Sequence, residues 1–256
     1  MRARPRAIAP PLALLAAAIG LWQLLVWALD VPDWLFPAPS AIAADFGRDG
    51  GLLARNGWVT LREVLLGYAI AVGGGVALGV LLHASQVLRR ALYPILLASQ
   101  TVPVVVLAPI LAIALGYDLA PKLAIVALVC FFPIVVGAVD GLRSVDEQYR
   151  RMMLTLDASR VAIFRRVEFP ASLPSLFSGL RVAAAYAAVG AVFGEWSGAS
   201  AGLGYVMLQA APALETARIF AAIAILSAMS LALFTLVSLA ERAAAPWARE
   251  EQTRAA

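Results

Sequence analysis

Few residues in this chain have the types that do chemistry, and their spacing narrows what they could do. The chain holds one histidine, His83, and one cysteine, Cys130. His83 has no second histidine and no carboxylate at helical spacing, so its own segment offers neither a metal-ligand pair nor an acid-base pair. A lone Cys130 within an apolar run excludes an intrachain disulfide and a thiolate metal cluster. Lys122 is the only lysine, and no G-x-x-x-x-G-K-[ST] loop exists to cradle a phosphate. No catalytic residue and no metal ligand is therefore expected. Two sets of groups are suited to binding instead. Glu195 and Trp196 close a long apolar run, where a carboxylate suits a cationic or amino-bearing ligand and an indole offers a stacking face to a flat ring. The competing reading is that Glu195 ties down irregular backbone or faces water. Gln100, between Ser99 and Thr101 and ahead of Pro103 and Pro109, interrupts another apolar run. Such a cluster either lines a polar path or bonds to neighbouring helices, and both readings fit.

The elements that must position these groups follow from composition. Of 256 residues 62% are hydrophobic and 14% charged, with a mean hydropathy of +0.85, whereas a soluble domain is nearer a quarter charged. Apolar runs of spanning length occur at Pro10 to Leu29, Val64 to His83, Pro94 to Gly116, Leu123 to Leu142, Leu176 to Val192 and Ile219 to Ala240. Each covers roughly the 30 Å hydrocarbon layer at about 1.5 Å per residue. Because the runs are unbroken rather than alternating, they predict helices and not barrel strands. The expectation is an all-α membrane protein of six transmembrane helices. The first run follows Arg2, Arg4 and Arg6 in the manner of a signal peptide, but it is long enough to span and lacks a small-x-small cleavage site, so an uncleaved helix is expected. Within the second run, Gly67, Ala71, Gly75 and Gly79 fall four apart and form a stripe for close helix packing.

Basic residues set the orientation. With six spans, Arg89 and Arg90, the group from Arg143 through Arg150, Arg151, Arg160, Arg165 and Arg166, and the terminal Arg2, Arg4, Arg6, Arg242, Arg249 and Arg254 all fall on one side. The other side holds Arg48, Arg55, Arg62, Lys122 and Arg218. Both termini and the long fourth connection are therefore expected in the cytoplasm. The formal charge of +4 is explained by this bias, and no basic block is long enough to track nucleic acid.

The fourth connection is too polar to span and too regular for a loop. Ser144-Val145-Asp146-Glu147 has the form of a capping box and predicts a helix from Ser144 to about Leu156. Asp157 then interrupts, and its carboxylate is suited to cap a second helix from Ala158 to about Val167, which Pro170 should close. On that second helix Val161 and Phe164 share one side, while Arg160, Arg165 and Arg166 project elsewhere. An apolar knob with a basic rim can lie on anionic lipid or plug into a groove of a partner protein, and pattern alone favours neither.

The run from Arg151 to Arg160, followed by Ile163 to Pro170, resembles the "EAA" loop of bacterial ABC importer permeases. That pattern is Glu-Ala-Ala, three residues, Gly, nine residues, Ile, one residue, Leu-Pro. Aligned on Pro170, it places Val167 and Phe169 at its hydrophobic positions, Asp157 at its glycine and Arg151-Met152-Met153 at its triplet. The spacing fits, while the triplet and the glycine differ. The resemblance extends from Phe36-Pro37-Ala38-Pro39-Ser40 through Leu65-Leu66-Gly67-Tyr68 to Glu195-Trp196, and is closest to the branch for nitrate, sulfonates, taurine and the pyrimidine precursor of thiamine. Within that branch Gly194 to Tyr205 looks like the pyrimidine-precursor permeases.

The resemblance implies a type I importer permease in the bacterial inner membrane. It implies an N-terminal helix and periplasmic connection over 1–62, a core over 63–245 with a coupling loop at 143–175, and a cytoplasmic tail over 246–256. It further implies a permease homodimer, a cytoplasmic ATP-binding subunit that holds ATP and magnesium, and a periplasmic substrate-binding protein. Asp157, Ala158, Ser159, Arg160, Val161, Phe164, Arg165, Val167 and Pro170 would contact the ATPase, and Gln100, Glu195 and Trp196 would line the substrate path. The cargo implied is hydroxymethylpyrimidine or a related thiamine precursor, with sulfonates, taurine, nitrate or riboflavin as alternatives. A secondary transporter would bury more coupling charge than these spans carry, and an intramembrane enzyme would show paired Asp, His or Ser/His groups.

Overall fold

Helices form where the apolar runs predict them, but their lengths follow packing rather than hydropathy. The computed structural model describes residues 9–247, so Arg2, Arg4, Arg6, Arg249, Arg254 and most of the expected tail over 246–256 lie outside the described residues. Helix α1 spans Ala9–Ala28, α2 Pro39–Ala84, α3 Gln86–Ser99, α4 Val104–Leu115 and α5 Leu119–Arg143. Two short helices follow, α6 at Glu147–Thr155 and α7 at Arg160–Ile163, then a wide π-turn over Phe164–Glu168. The chain ends in α8 at Phe169–Trp196, α9 at Leu203–Ala210 and α10 at Thr216–Ala244.

Two runs differ from expectation. The second run is the inner part of α2, a 46-residue helix that takes up much of the expected external connection and runs straight through the 62/63 boundary. Only Asp49 departs from helical geometry, with φ −122° and ψ 24°. The third run is not one helix. Its chain turns through 101° between α3 and α4, at the segment holding Gln100 and Thr101 and ending at Pro103. Pro103 offers no N–H and pushes Val102 out of helical geometry, so the helix cannot continue there. Among the described residues five helices are thus long and apolar enough to cross a membrane, and the bent pair makes a sixth when counted as one broken span.

Helices α2, α5 and α8 form the centre of the bundle, with α10 against α8 and α1 at the periphery. Their contact rests on small residues. A Cβ at Gly75 would lie 2.8 Å from Ile134 Cγ2, and one at Gly137 would lie 2.9 Å from the Ser175 carbonyl, so α2, α5 and α8 meet backbone to side chain or backbone to backbone. The expected stripe of Gly67, Ala71, Gly75 and Gly79 is buried against α5. In lipid there is little hydrophobic gain from pairing helices, so close van der Waals contact through such residues is what holds them. Tyr68, on this inner side of α2, donates its hydroxyl to the Leu180 carbonyl at 2.9 Å, and Cys130 is buried against Ala183.

Gly75→Leu should weaken the bundle by about 1–3 kcal/mol through overpacking, whereas Gly73, whose Cβ position is open, should accept leucine. Thermal unfolding of the detergent-solubilised protein checks this. Equal losses at both positions would contradict the packing account.

Candidate functional site

At the basic end of the bundle, α6 and α7 are built by caps different from those expected. Ser144 does not start α6; it ends α5, and its hydroxyl donates to the Gly141 carbonyl at 2.8 Å. Asp146 is the N-cap instead, accepting from Gln148 N–H at 2.9 Å, and Glu147 faces Arg150 and Arg151 rather than reaching back. An aspartate one residue from the first helical turn holds its N–H groups more strongly than a serine two residues further off.

Asp157 does not cap the second helix either. It takes φ +53°, while its own N–H bonds to the Leu154 carbonyl and that of Ala158 to Met153, both at 3.1 Å. These two bonds close α6 as a Schellman motif, with aspartate in the left-handed position usually held by glycine. Ser159 caps α7, its oxygen accepting from Ala162 N–H at 3.2 Å. The chain break thus uses left-handed geometry at the very position where the "EAA" pattern has its glycine.

Pro170 does not close the segment. Helical geometry continues from Arg160 through to Trp196, a run of 37 residues. At Phe164–Glu168 the helix widens, and Phe169 N–H bonds five residues back to the Phe164 carbonyl. A regular helix would drive the Pro170 ring against the carbonyl four residues before it, and the wide turn relieves that clash. α7 and α8 are therefore one bent rod.

Along this rod Val161 is 65% exposed, and Arg160, Arg165 and Arg166 are exposed around it. Phe164 is half-buried, its ring 6.0 Å from that of Phe169, and Val167 is half-buried. Ile163, not picked out by sequence reasoning, is the buried anchor. Between α7 and the C-terminal end of α2 lies a hollow of about 510 Å³, bounded by Val80, His83, Leu154, Val161 and Phe164 among others. His83 is not isolated as its segment suggested: its Nε2 lies 3.0 Å from Glu168 Oε2. No local pattern reveals a pair 85 positions apart in the chain.

At the opposite end, Glu195 lies in the last turn of α8 rather than in irregular chain, and it is fully buried. Thr60 donates its hydroxyl to Oε1 at 2.6 Å, and Gly204 N–H donates to Oε2 at 2.5 Å. Thr60 also accepts from Leu203 N–H at 2.8 Å, and Asn56 from Gly202 N–H at 2.8 Å. Gly202 has φ +119°, and a Cβ there would meet the Glu195 carboxylate. Next to this lies Glu63, buried in α2, with Lys122 Nζ at 3.1 Å. Lys122 sits in the first turn of α5 and is largely covered, not free in an external turn. Asn56, Thr60 and Glu63 fall four and three apart, a polar stripe on one helical face that was readable in the sequence but masked by treating 30–62 as a connection.

Glu195 and Trp196 both engage the backbone of Gly204, but only Trp196 borders open space. The indole N–H donates to the Gly204 carbonyl at 3.2 Å, and the ring borders a hollow of about 470 Å³ between α8 and α10 with Ala188, Val192, Met207, Ser227 and Ser230. Gln100 stands at the α3–α4 bend and does not border that hollow. Arg181, whose charge lies well inside α8, pairs with Glu241 of α10.

Removing the carboxylate in Glu195→Ala leaves the N–H of Gly204 and the hydroxyl of Thr60 without an acceptor, at a cost of about 1–3 kcal/mol. Hydrogen exchange of the amides at 202–204 should quicken in this variant and in Gly202→Ala, but not in Gln100→Ala. Unchanged protection in Glu195→Ala would contradict the holding of the 202–204 segment by the Glu195 carboxylate.

Comparison with known proteins agrees with this geometry. The family described as "Binding-protein-dependent transport system inner membrane component" matches residues 69–250. The formylaminopyrimidine transport permease protein ThiX of Halalkalibacterium halodurans is 33% identical over 252 residues, 98% of this chain and 100% of the relative. The riboflavin transport system permease protein RibX of Chloroflexus aurantiacus is 34% identical over 228 residues, 88% and 85% of the two chains. Among solved structures, the methionine ABC transporter MetNI in an inward-facing conformation aligns with a TM-score of 0.65 at 18% identity, covering 75% of this chain and 96% of that one. The fold is that of the MetI-like type I permeases, and the protein is a multi-pass component of the inner membrane. With a family match over most of its length and relatives aligned along nearly all of it, the chain belongs to the binding-protein-dependent transport system inner membrane components, the permeases of ABC importers.

Proposed function

We propose that this permease works as a homodimer, takes force from a cytoplasmic ATPase through α7 and passes a flat, nitrogen-bearing ring compound, hydroxymethylpyrimidine or a related thiamine precursor. ATP and magnesium are bound by the ATPase, and a periplasmic binding protein presents the cargo. The observation that carries the mechanical part is the continuous rod from Arg160 to Trp196. Its inner tip shows an exposed Val161, a half-buried Phe164 and a basic rim, a surface suited to a groove in a partner. Asp157, Ala158 and Ser159 set the angle at which that tip leaves α6. Val167, Arg165 and Pro170 belong to the wide turn and its junction with α8. This end faces the cytoplasm, since His83, Arg89, Arg143 and Arg150 gather around one hollow there. With six spans, the basic residues near both ends of the sequence belong to that side as well.

The cargo reading rests on the full-length similarity to a formylaminopyrimidine permease and on the hollow beside Trp196. Among the described residues that hollow presents an oriented indole, aliphatic side chains and two serine hydroxyls, and no cation. Sulfonate, taurine or nitrate would want a cationic partner, whereas a ring that stacks and accepts one or two hydrogen bonds fits. Riboflavin is the second reading, favoured by the similar RibX and by the same stacking chemistry.

Phe164→Asp should abolish co-purification of the ATPase while the permease still inserts in the membrane. Vesicles holding the complete importer should take up labelled hydroxymethylpyrimidine in preference to taurine. Retained ATPase binding by Phe164→Asp would overturn the docking assignment, and taurine preference would overturn the cargo.

A further inference from the structure

The charges buried behind α7 have no part in docking or in the cargo path. Glu168 lies in the wide turn and is almost wholly covered. Both its oxygens are engaged: Oε2 lies 3.0 Å from His83 Nε2, and Oε1 lies 2.9 Å from Arg150 Nε. His83 is in the last turn of α2, and Arg150 is in α6. One carboxylate thus joins the wide turn to α6 and to α2, whose His83 is 85 positions away in the chain. The join sits at the base of the hollow under α7, where open space would otherwise let that helix swing about the wide turn. An apolar side chain at 168 could fill the same space, but it would not fix rotation. A hydrogen bond to His83 and an ion pair to Arg150, on separate elements, do.

We propose that Glu168 is the positioning residue that passes displacement of α7 to the inner end of α2, with His83 and Arg150 as its anchors. The inference rests on the reading of α7 as the docking helix for the ATPase. With the carboxylate in place, α7, α6 and the end of α2 move as one body. Without it, α7 pivots on the wide turn and its motion is lost in the hollow. Arg150 also lies 3.7 Å from Glu147, so it keeps a surface partner when Glu168 is neutralised.

Spin labels at the exposed Leu81 and at the half-buried Ala162, which is outside the residues assigned to the ATPase contact, report the distance from α2 to α7, and the native Cys130 is too buried to label. In the permease assembled with its ATPase, this distance should be narrow and unchanged by ATP. In Glu168→Gln the distribution should broaden at least about twofold and shift with ATP, as expected of a freed hinge. Arg150→Gln should do the same, Arg150→Lys should restore most of the narrow distance, and Glu168→Gln with Arg150→Gln should be no broader than either alone. A Glu168→Gln distribution equal to that of the unaltered protein would overturn the proposal, as would broadening that adds in the double variant. Should Glu168→Gln fail to accumulate, His83→Ala tests the other anchor with the same two outcomes. Failure of the docking reading shows separately, as absence of the ATPase from the purified unaltered permease.

Discussion

The wide turn at Phe164–Glu168 is the feature on which the rest of the basic end of the bundle depends. A proline two residues beyond the turn would ordinarily end a helix, and an interrupted helix at the edge of lipid would leave backbone groups without partners. By bonding Phe169 N–H to the carbonyl five residues back, the chain keeps its hydrogen-bond ladder and absorbs Pro170 at once. The result is a helix that leaves the bundle at one end as α7 and reaches the far side as α8. A push on Val161 is then a push on the helix that carries Glu195 and Trp196.

The two ends of this rod are held differently. At the outer end, Glu195 ties α8 to α2 and α9 through short hydrogen bonds in a site closed to water, where only glycine fits at 202. Buried charge and irregular backbone are tolerated at membrane depth only when protein supplies the partners, and here Thr60 and Gly204 do so for Glu195 and Lys122 for Glu63. At the basic end Glu168 holds the rod to His83 of α2 and Arg150 of α6, across the space beneath α7.

Much of this was legible in the sequence, for identifiable reasons. Unbroken apolar runs fix where helices lie because lipid allows little else, and the four-residue repeat from Gly67 to Gly79 marks the face that meets α5. The helix-break-helix before the fifth span was legible from the position of Asp157, although the break arises from left-handed backbone and not from side-chain capping. What was not legible required tertiary partners. Glu168 finds His83 only when α8 folds against α2, and Gln100 stands at a bend because of Pro103 rather than in a continuous span. The stripe of Asn56, Thr60 and Glu63 was readable in principle, but a helix that extends far outside its apolar stretch hides such a pattern from hydropathy.

The central claim is that α7 is the point on the cytoplasmic surface where the ATPase acts. Cys130 is the only native thiol and is fully buried, so a single introduced cysteine reports its own side of the membrane. Arg165→Cys, on the exposed basic rim, should react with a membrane-impermeant maleimide only when the inner face is opened, and should be shielded once the ATPase is bound. Labelling from outside in sealed cells would contradict the account.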